Sequence, residues 1–244
     1  MIAISISGAA KGGLMTNFVL VHGAWIGGFC WRANAQALRK AGHEVYTPTM
    51  TGLGERIHLM SPSINLDTHI VDIVNVIKYE ELSDVVLVGH SYGGMVITGV
   101  ADALPDKITS LVYLDAFVPE NGQSLVGLLP PGAPPPAAAS EYTLAPLPGA
   151  VFGAKPEVAA YVDAHTTPHP TACFTQAIKL TSGIDRFKKK AYIYCNVPEP
   201  TTFTPFYEKL KNKKDWTVHT LPCTHIVQME LPDELTALLL QAVP

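Results

Sequence analysis

Short apolar runs and stretches with helical spacing take turns along the first half of the chain. Residues 18–21 (FVLV) and 85–88 (VVLV) are apolar at every position, the pattern of a strand covered on both faces. Residues 44–47, 110–114, 191–194 and 217–221 read as further strands. Between them, residues 29–41 place Trp31, Ala35, Leu38 and Ala41 near one helical face and end at Gly42. Residues 66–79 carry Ile70, Val74 and Ile77 on one stripe, with Asn65 as N-cap. Helices are also expected from Gly94 to about residue 103, over 204–212 and over 231–242. Strand–helix alternation of this kind predicts an α/β fold with a mostly parallel sheet and helices on both faces.

The rhythm breaks after Ala116. Pro130, Pro131, Pro134, Pro135 and Pro136 crowd one stretch, and Phe152, Val158, Tyr161, Phe174 and Ile178 suggest short helices with apolar faces. A long stretch without regular pattern inside a compact domain is usually functional or a linker. Residues 117–188 are therefore expected to form an inserted cap over a pocket, within a single domain of residues 15–244. Residues 1–14 read as an N-terminal extension, an upstream start or an added segment, outside the core fold.

The chain has 244 residues, of which 48% are hydrophobic and 16% charged, enough apolar material to exclude global disorder. Seventeen Lys and Arg against 21 Asp and Glu give a net charge of -4, which argues against a nucleic-acid face. The basic residues Lys188, Lys189, Lys190, Lys209, Lys211, Lys213 and Lys214 read as solvated charges. No apolar run is long enough to span a membrane. Cys30, Cys173, Cys195 and Cys223 are scattered, with no CxxC pair. This spacing argues against a zinc site and fits a reducing compartment, so a cytoplasmic location with no metal is expected.

Candidate chemistry sits at two strand ends. Gly89-His90-Ser91-Tyr92-Gly93 is a G-x-S-x-G between an apolar strand and a helix. So sharp a turn places the serine oxygen at the sheet edge and the helix N-terminus. A serine needs a base. Of nine histidines, His225 lies in the loop after the last strand, from which it reaches Ser91 across the sheet edge. His90 is expected to point away, and His22 to orient the loop it opens. His43, His58, His69, His165, His169 and His219 read as loop or surface residues. The amides of Tyr92 and Ala24, the latter in His22-Gly23-Ala24-Trp25, are the expected oxyanion donors.

These motifs, together with residues 26–31 (IGGFCW), 42–45 (GHEV), 111–114 (LVYL) with 116–119 (AFVP), and Thr224-His225, resemble α/β-hydrolases. The likeness is to the plant methylesterase and hydroxynitrile lyase group and its bacterial esterase relatives. The resemblance implies a Ser–His–Asp triad, no cofactor and small ester substrates. It usually places the aspartate after the next-to-last strand. Here that loop contains Glu199 between two prolines and no aspartate, whereas Asp115 ends the preceding strand. Asp115 is the favoured acid and Glu199 the alternative. A lyase of this group needs a lysine after the histidine and a threonine in the oxyanion loop. Ile226 and Ala24 stand there instead.

The expected activity is a serine esterase acting on a small, uncharged, hydrophobic ester. Trp25, Phe117, Phe152 and Phe174 are the candidate pocket residues, with Tyr92 beside them. A hydrolase-like ligand receptor, or an acyltransferase or C–C hydrolase using the same serine, is the alternative. The expected partner is a small molecule, with a homodimer possible through an apolar cap.

Overall fold

The computed structural model describes residues 15–132 and 136–243. Residues 1–14, expected to be an extension, lie outside the described residues. In chain order the first half holds β1 (Asn17–Val21), α1 (Arg32–Lys40), β2 (Glu44–Tyr46), α2 (Leu66–Tyr79), β3 (Val85–His90), α3 (Gly93–Ala103) and β4 (Ile108–Leu114). Next come α4 (Leu125–Leu128), β5 (Thr143–Leu144), α5 (Pro156–His165), β6 (His169–Pro170) and α6 (Thr171–Thr175). The chain closes with β7 (Lys190–Cys195), α7 (Thr204–Leu210), β8 (Thr217–Leu221), α8 (Val227–Glu230) and α9 (Pro232–Gln241).

Six strands form one parallel sheet in the order β2-β1-β3-β4-β7-β8. Both faces are covered, as the apolar runs require. Val19, Val21, Val85 and Leu87 face one hydrophobic cluster, to which α2, α3 and α7 contribute. Phe18, Leu20, Val86 and Val88 face the other, beneath α1 and α9. The 14-residue α2 begins where the cap residue places it. Asn65 accepts from the Thr68 amide at 3.0 Å, and Thr68 Oγ1 reciprocates by accepting from the Asn65 amide at 3.3 Å.

The connection from β1 leads outward to β2, and the next strand, β3, returns to the opposite side of β1. The loops after β1 and β3 therefore part company above the sheet, opening a crevice at its C-terminal edge. The segment between β4 and β7 stands outside the main sheet and contains α4, α5, α6 and the two-stranded β5–β6 pair. We call it the cap segment. Lys190 departs from the expected solvated charge. Its side chain is 1% exposed, its ammonium pairs with Asp215 at 2.8 Å, and it donates to the Phe187 carbonyl. Its place at the start of β7 draws it into the sheet.

Candidate active site

Ser91 follows the last residue of β3 and has φ 55°, a left-handed conformation that a non-glycine residue adopts at a cost. The neighbouring glycines make that turn possible. A Cβ at Gly89 would lie 2.6 Å from the Gly93 carbonyl oxygen, and one at Gly93 would lie 2.8 Å from that of His22. Strand, helix and the adjacent loop approach too closely for any side chain there. The Ser91 amide donates to the Leu114 carbonyl at 3.1 Å, and its own carbonyl accepts from Gly94 and Phe117. The turn is thus fastened to the end of β4.

Asp115 follows β4, also with positive φ (41°). Its amide donates to the Ile193 carbonyl at 2.7 Å, and its Oδ1 accepts from the Cys195 amide at 3.2 Å. Both bonds tie it to β7. Oδ2 lies 2.6 Å from Nδ1 of His225, which comes from the loop after β8. The two side chains are 1% and 11% exposed. Burial pushes the His225 imidazole down to about 3 and the Asp115 carboxyl well up. Desolvation disfavours charge on either partner, and the 2.6 Å Nδ1–Oδ2 line holds the proton between them. Phe203 stacks on the His225 ring at 4.9 Å and Phe152 lies 5.2 Å away. Glu199, the alternative acid, is exposed and has no bond to His225.

The loop after β1 supplies the third element. His22 Nδ1 donates to the Gly23 carbonyl at 2.8 Å, and its Nε2 accepts from the Met50 amide at 3.0 Å. That carbonyl belongs to the same peptide group as the Ala24 amide. In a trans peptide the two point in opposite directions, so His22 turns the Ala24 N–H away from itself. Burial lowers His22 to about 3 and keeps this tautomer neutral. The Tyr92 amide belongs to the free first turn of α3. Among the described residues neither the Ala24 nor the Tyr92 amide has a backbone acceptor.

Ser91, His225, Ala24, Trp25 and Phe152 line one cavity of about 30 Å³, with Val162 and Thr166 from the cap segment completing its wall. That is room for about two waters. Two of the four expected pocket residues belong elsewhere. Phe117 packs on Phe203 and Phe206 in the core. Phe174 packs against Trp25, Tyr92 and His169 beside the cavity wall. Both are aromatic residues of suitable size, but their neighbours come from distant segments that no local pattern reveals.

A family model described as the alpha/beta hydrolase family matches residues 18–238. The chain is an α/β hydrolase. It is 45% identical over 234 residues to a carbendazim hydrolyzing esterase of Nocardioides sp. (strain SG-4G), covering 91% of this chain and 97% of that one. Methylesterase 8 of Arabidopsis thaliana is 32% identical over 129 residues, 51% of this chain and 47% of the relative. An extracellular α/β-hydrolase from a Paenibacillus species superposes with a TM-score of 0.79 at 26% identity, covering 93% and 99% of the two chains.

Several polar residues of this α/β hydrolase lie where no local pattern points to them. His90 does not point away. Its Nε2 donates to the main-chain carbonyl of His225 at 2.9 Å, and its ring lies 4.5 Å from the His225 ring. Its Nδ1 accepts from the Gln228 amide at 3.1 Å. Together they hold the His225 loop. His69 and His169 are fully buried, not loop or surface residues. His69 Nε2 donates to the Thr51 carbonyl, and its Nδ1 accepts from the Tyr92 hydroxyl at 2.9 Å. Donor atoms of His69, His169 and Cys173 fall within 4.8 Å of one another, a spacing compatible with a metal ion. Burial raises the Cys173 thiol to about 12, however, and both Nδ1 atoms accept protein hydrogen bonds. This set is suited to a hydrogen-bond network. Among the described residues no helix is long and apolar enough to cross a membrane.

Proposed function

We propose that this α/β hydrolase is a serine esterase that cleaves a small, uncharged, hydrophobic carboxylic ester through an acyl-enzyme. The observation that carries the reading is the buried 2.6 Å contact between His225 and Asp115, on the cavity that also holds Ser91. Ser91 Oγ attacks the ester carbonyl while His225 Nε2 takes its proton. Asp115 stabilises the imidazolium that forms, and the amides of Ala24 and Tyr92 donate to the developing oxyanion. Return of the proton to the leaving oxygen releases the alcohol. Water, deprotonated by His225, then attacks the acyl-enzyme and frees the acid.

Substrate class follows from the walls. Trp25, Ile26, Phe152 and Val162 are apolar, and among the described residues no Lys, Arg, Asp or Glu lines the cavity. A charged acyl group would lose its hydration there without a partner. The relative's activity on carbendazim places that compound in the first substrate panel. The test is steady-state hydrolysis of esters graded in acyl and alcohol size, plus carbendazim, with Ser91→Ala as control. Multiple turnover that falls about 10⁴-fold or more in the variant is expected. A folded chain with no turnover on any ester favours the ligand-receptor reading instead.

A further inference from the structure

We propose that His169 is a positioning residue for the oxyanion hole, acting from the cap segment through the backbone of Trp25. The proposal rests on the serine-esterase reading above.

Trp25 has φ 63°, which is costly for a large side chain and persists only when its surroundings hold it. Two residues of the cap segment supply the hold. The Trp25 amide donates to His169 Nδ1 at 3.2 Å, and the Trp25 carbonyl accepts from the Thr167 amide at 2.8 Å. Thr167 is anchored in turn, because its hydroxyl accepts from the Gly54 amide at 3.1 Å. The oxyanion donor is the amide of Ala24, one residue earlier. The peptide before Ala24 is fixed by His22 and the peptide after it by His169. Two imidazoles thus set the planes on either side of the residue that must aim its N–H at the reacting oxygen.

His169 also carries a feature that packing alone does not require. Since Nδ1 accepts from Trp25, the ring proton sits on Nε2, and that atom is buried with no partner among the described residues. A buried unsatisfied donor is destabilising. The ring stacks on Phe174 at 4.9 Å and meets the Tyr92 and His69 rings edge-on at 4.8 and 5.6 Å, a slot walled mainly by rings in which a hydrocarbon side chain carries no unsatisfied donor. What a hydrocarbon lacks is the acceptor at the δ position. Because His169 and Thr167 belong to the segment that also walls the cavity, displacement of this part of the cap would loosen the oxyanion loop.

The test compares three substitutions. Asn carries its side-chain oxygen at the δ position, Gln carries its amide one atom further out, and Leu has no acceptor. His169→Leu and His169→Gln are expected to lower kcat about 10- to 100-fold with KM changed less than about 3-fold, while His169→Asn recovers kcat to within about 5-fold. Affinity for an aryl trifluoromethyl ketone, whose adduct with Ser91 carries the oxyanion, should fall in parallel with kcat. Affinity for the product acid should not change. Circular dichroism and thermal melting identify folded variants, and the Asn–Gln comparison suffices if the Leu variant does not fold. Equal losses in Asn and Gln, a loss expressed only in KM, or unchanged ketone affinity overturns the proposal. Ser91→Ala is run alongside on the unmodified background. Ester turnover that does not depend on Ser91 overturns the esterase reading and this proposal with it. Ser91-dependent turnover indifferent to His169 overturns this proposal alone.

Discussion

The sheet edge and the cap segment build opposite walls of one cavity by different physical means. At the sheet edge, backbone geometry does the positioning. Ser91 and Asp115 each follow a parallel strand, each has positive φ, and each is bonded through its main chain to the neighbouring strand. In the cap segment, side chains do it. His169 bonds a distant amide, and Phe152 packs beside the His225 ring. The first arrangement is rigid because the sheet is rigid. The second depends on contacts that a moderate displacement breaks, and a cavity of about 30 Å³ requires some displacement before an ester enters.

Four measurements sharpen or break this contrast. The largest effect is expected at the sheet edge. Asp115→Asn should lower kcat about 10³- to 10⁴-fold, because the imidazole loses the carboxylate that fixes its tautomer, whereas exposed Glu199→Gln should change it less than about 2-fold. Comparable losses in both variants would remove Asp115 from its role.

Next comes the support of the His225 loop. Gln228→Ala frees His90 Nδ1 and should lower kcat about 10-fold, with the loss partly restored in Gln228→Asn if a shorter amide still reaches the ring. A change in KM alone would assign Gln228 to the substrate wall and not to the loop.

A smaller effect is expected in the pH profile. Burial depresses His225 to about 3, so the base stays unprotonated as pH falls through the usual histidine range and is lost only below it. Between pH 7 and pH 5, protonation of His225 alone should lower kcat/KM less than about 2-fold, where an ordinary imidazole would lose about 20-fold. An acid limb in that range would belong to the Asp115 carboxyl, which burial raises, or would overturn the depressed His225.

The smallest effect is outside the cavity. Asn65→Ala removes the α2 cap and should cost about 1 kcal/mol in denaturant unfolding while leaving kcat unchanged. Loss of activity at constant fold would mean that α2, which carries His69, transmits strain to Tyr92.

How much was legible in the sequence follows the same division. The span 66–79 was read from its stripe and its cap, and the structure places α2 there. The serine turn was read from two glycines because close backbone approach is a local demand. Asp115 was read as the acid because it ends a strand, and the structure pairs it with His225. What escaped is what local pattern does not encode. His69 and His169 are buried by segments about a hundred residues apart, and only their tertiary partners distinguish them from surface histidines. Lys190 was read as one charge in a basic run, but strand register carries it inward to Asp215. Phe117 and Phe174 have the composition of a pocket and the neighbours of a core.

The position of the acid has a consequence for how this protein tolerates change. On the esterase reading the carboxylate lies at the end of β4, so the loop between β7 and α7 carries no catalytic charge, and residues 197–200 are exposed. It is tied to the site by Phe203, stacked on His225 at the loop's far end, and by the Val197 amide, which donates to the Cys223 carbonyl at 3.1 Å. Substitutions at the exposed residues 198–200 can therefore accumulate without touching either tie.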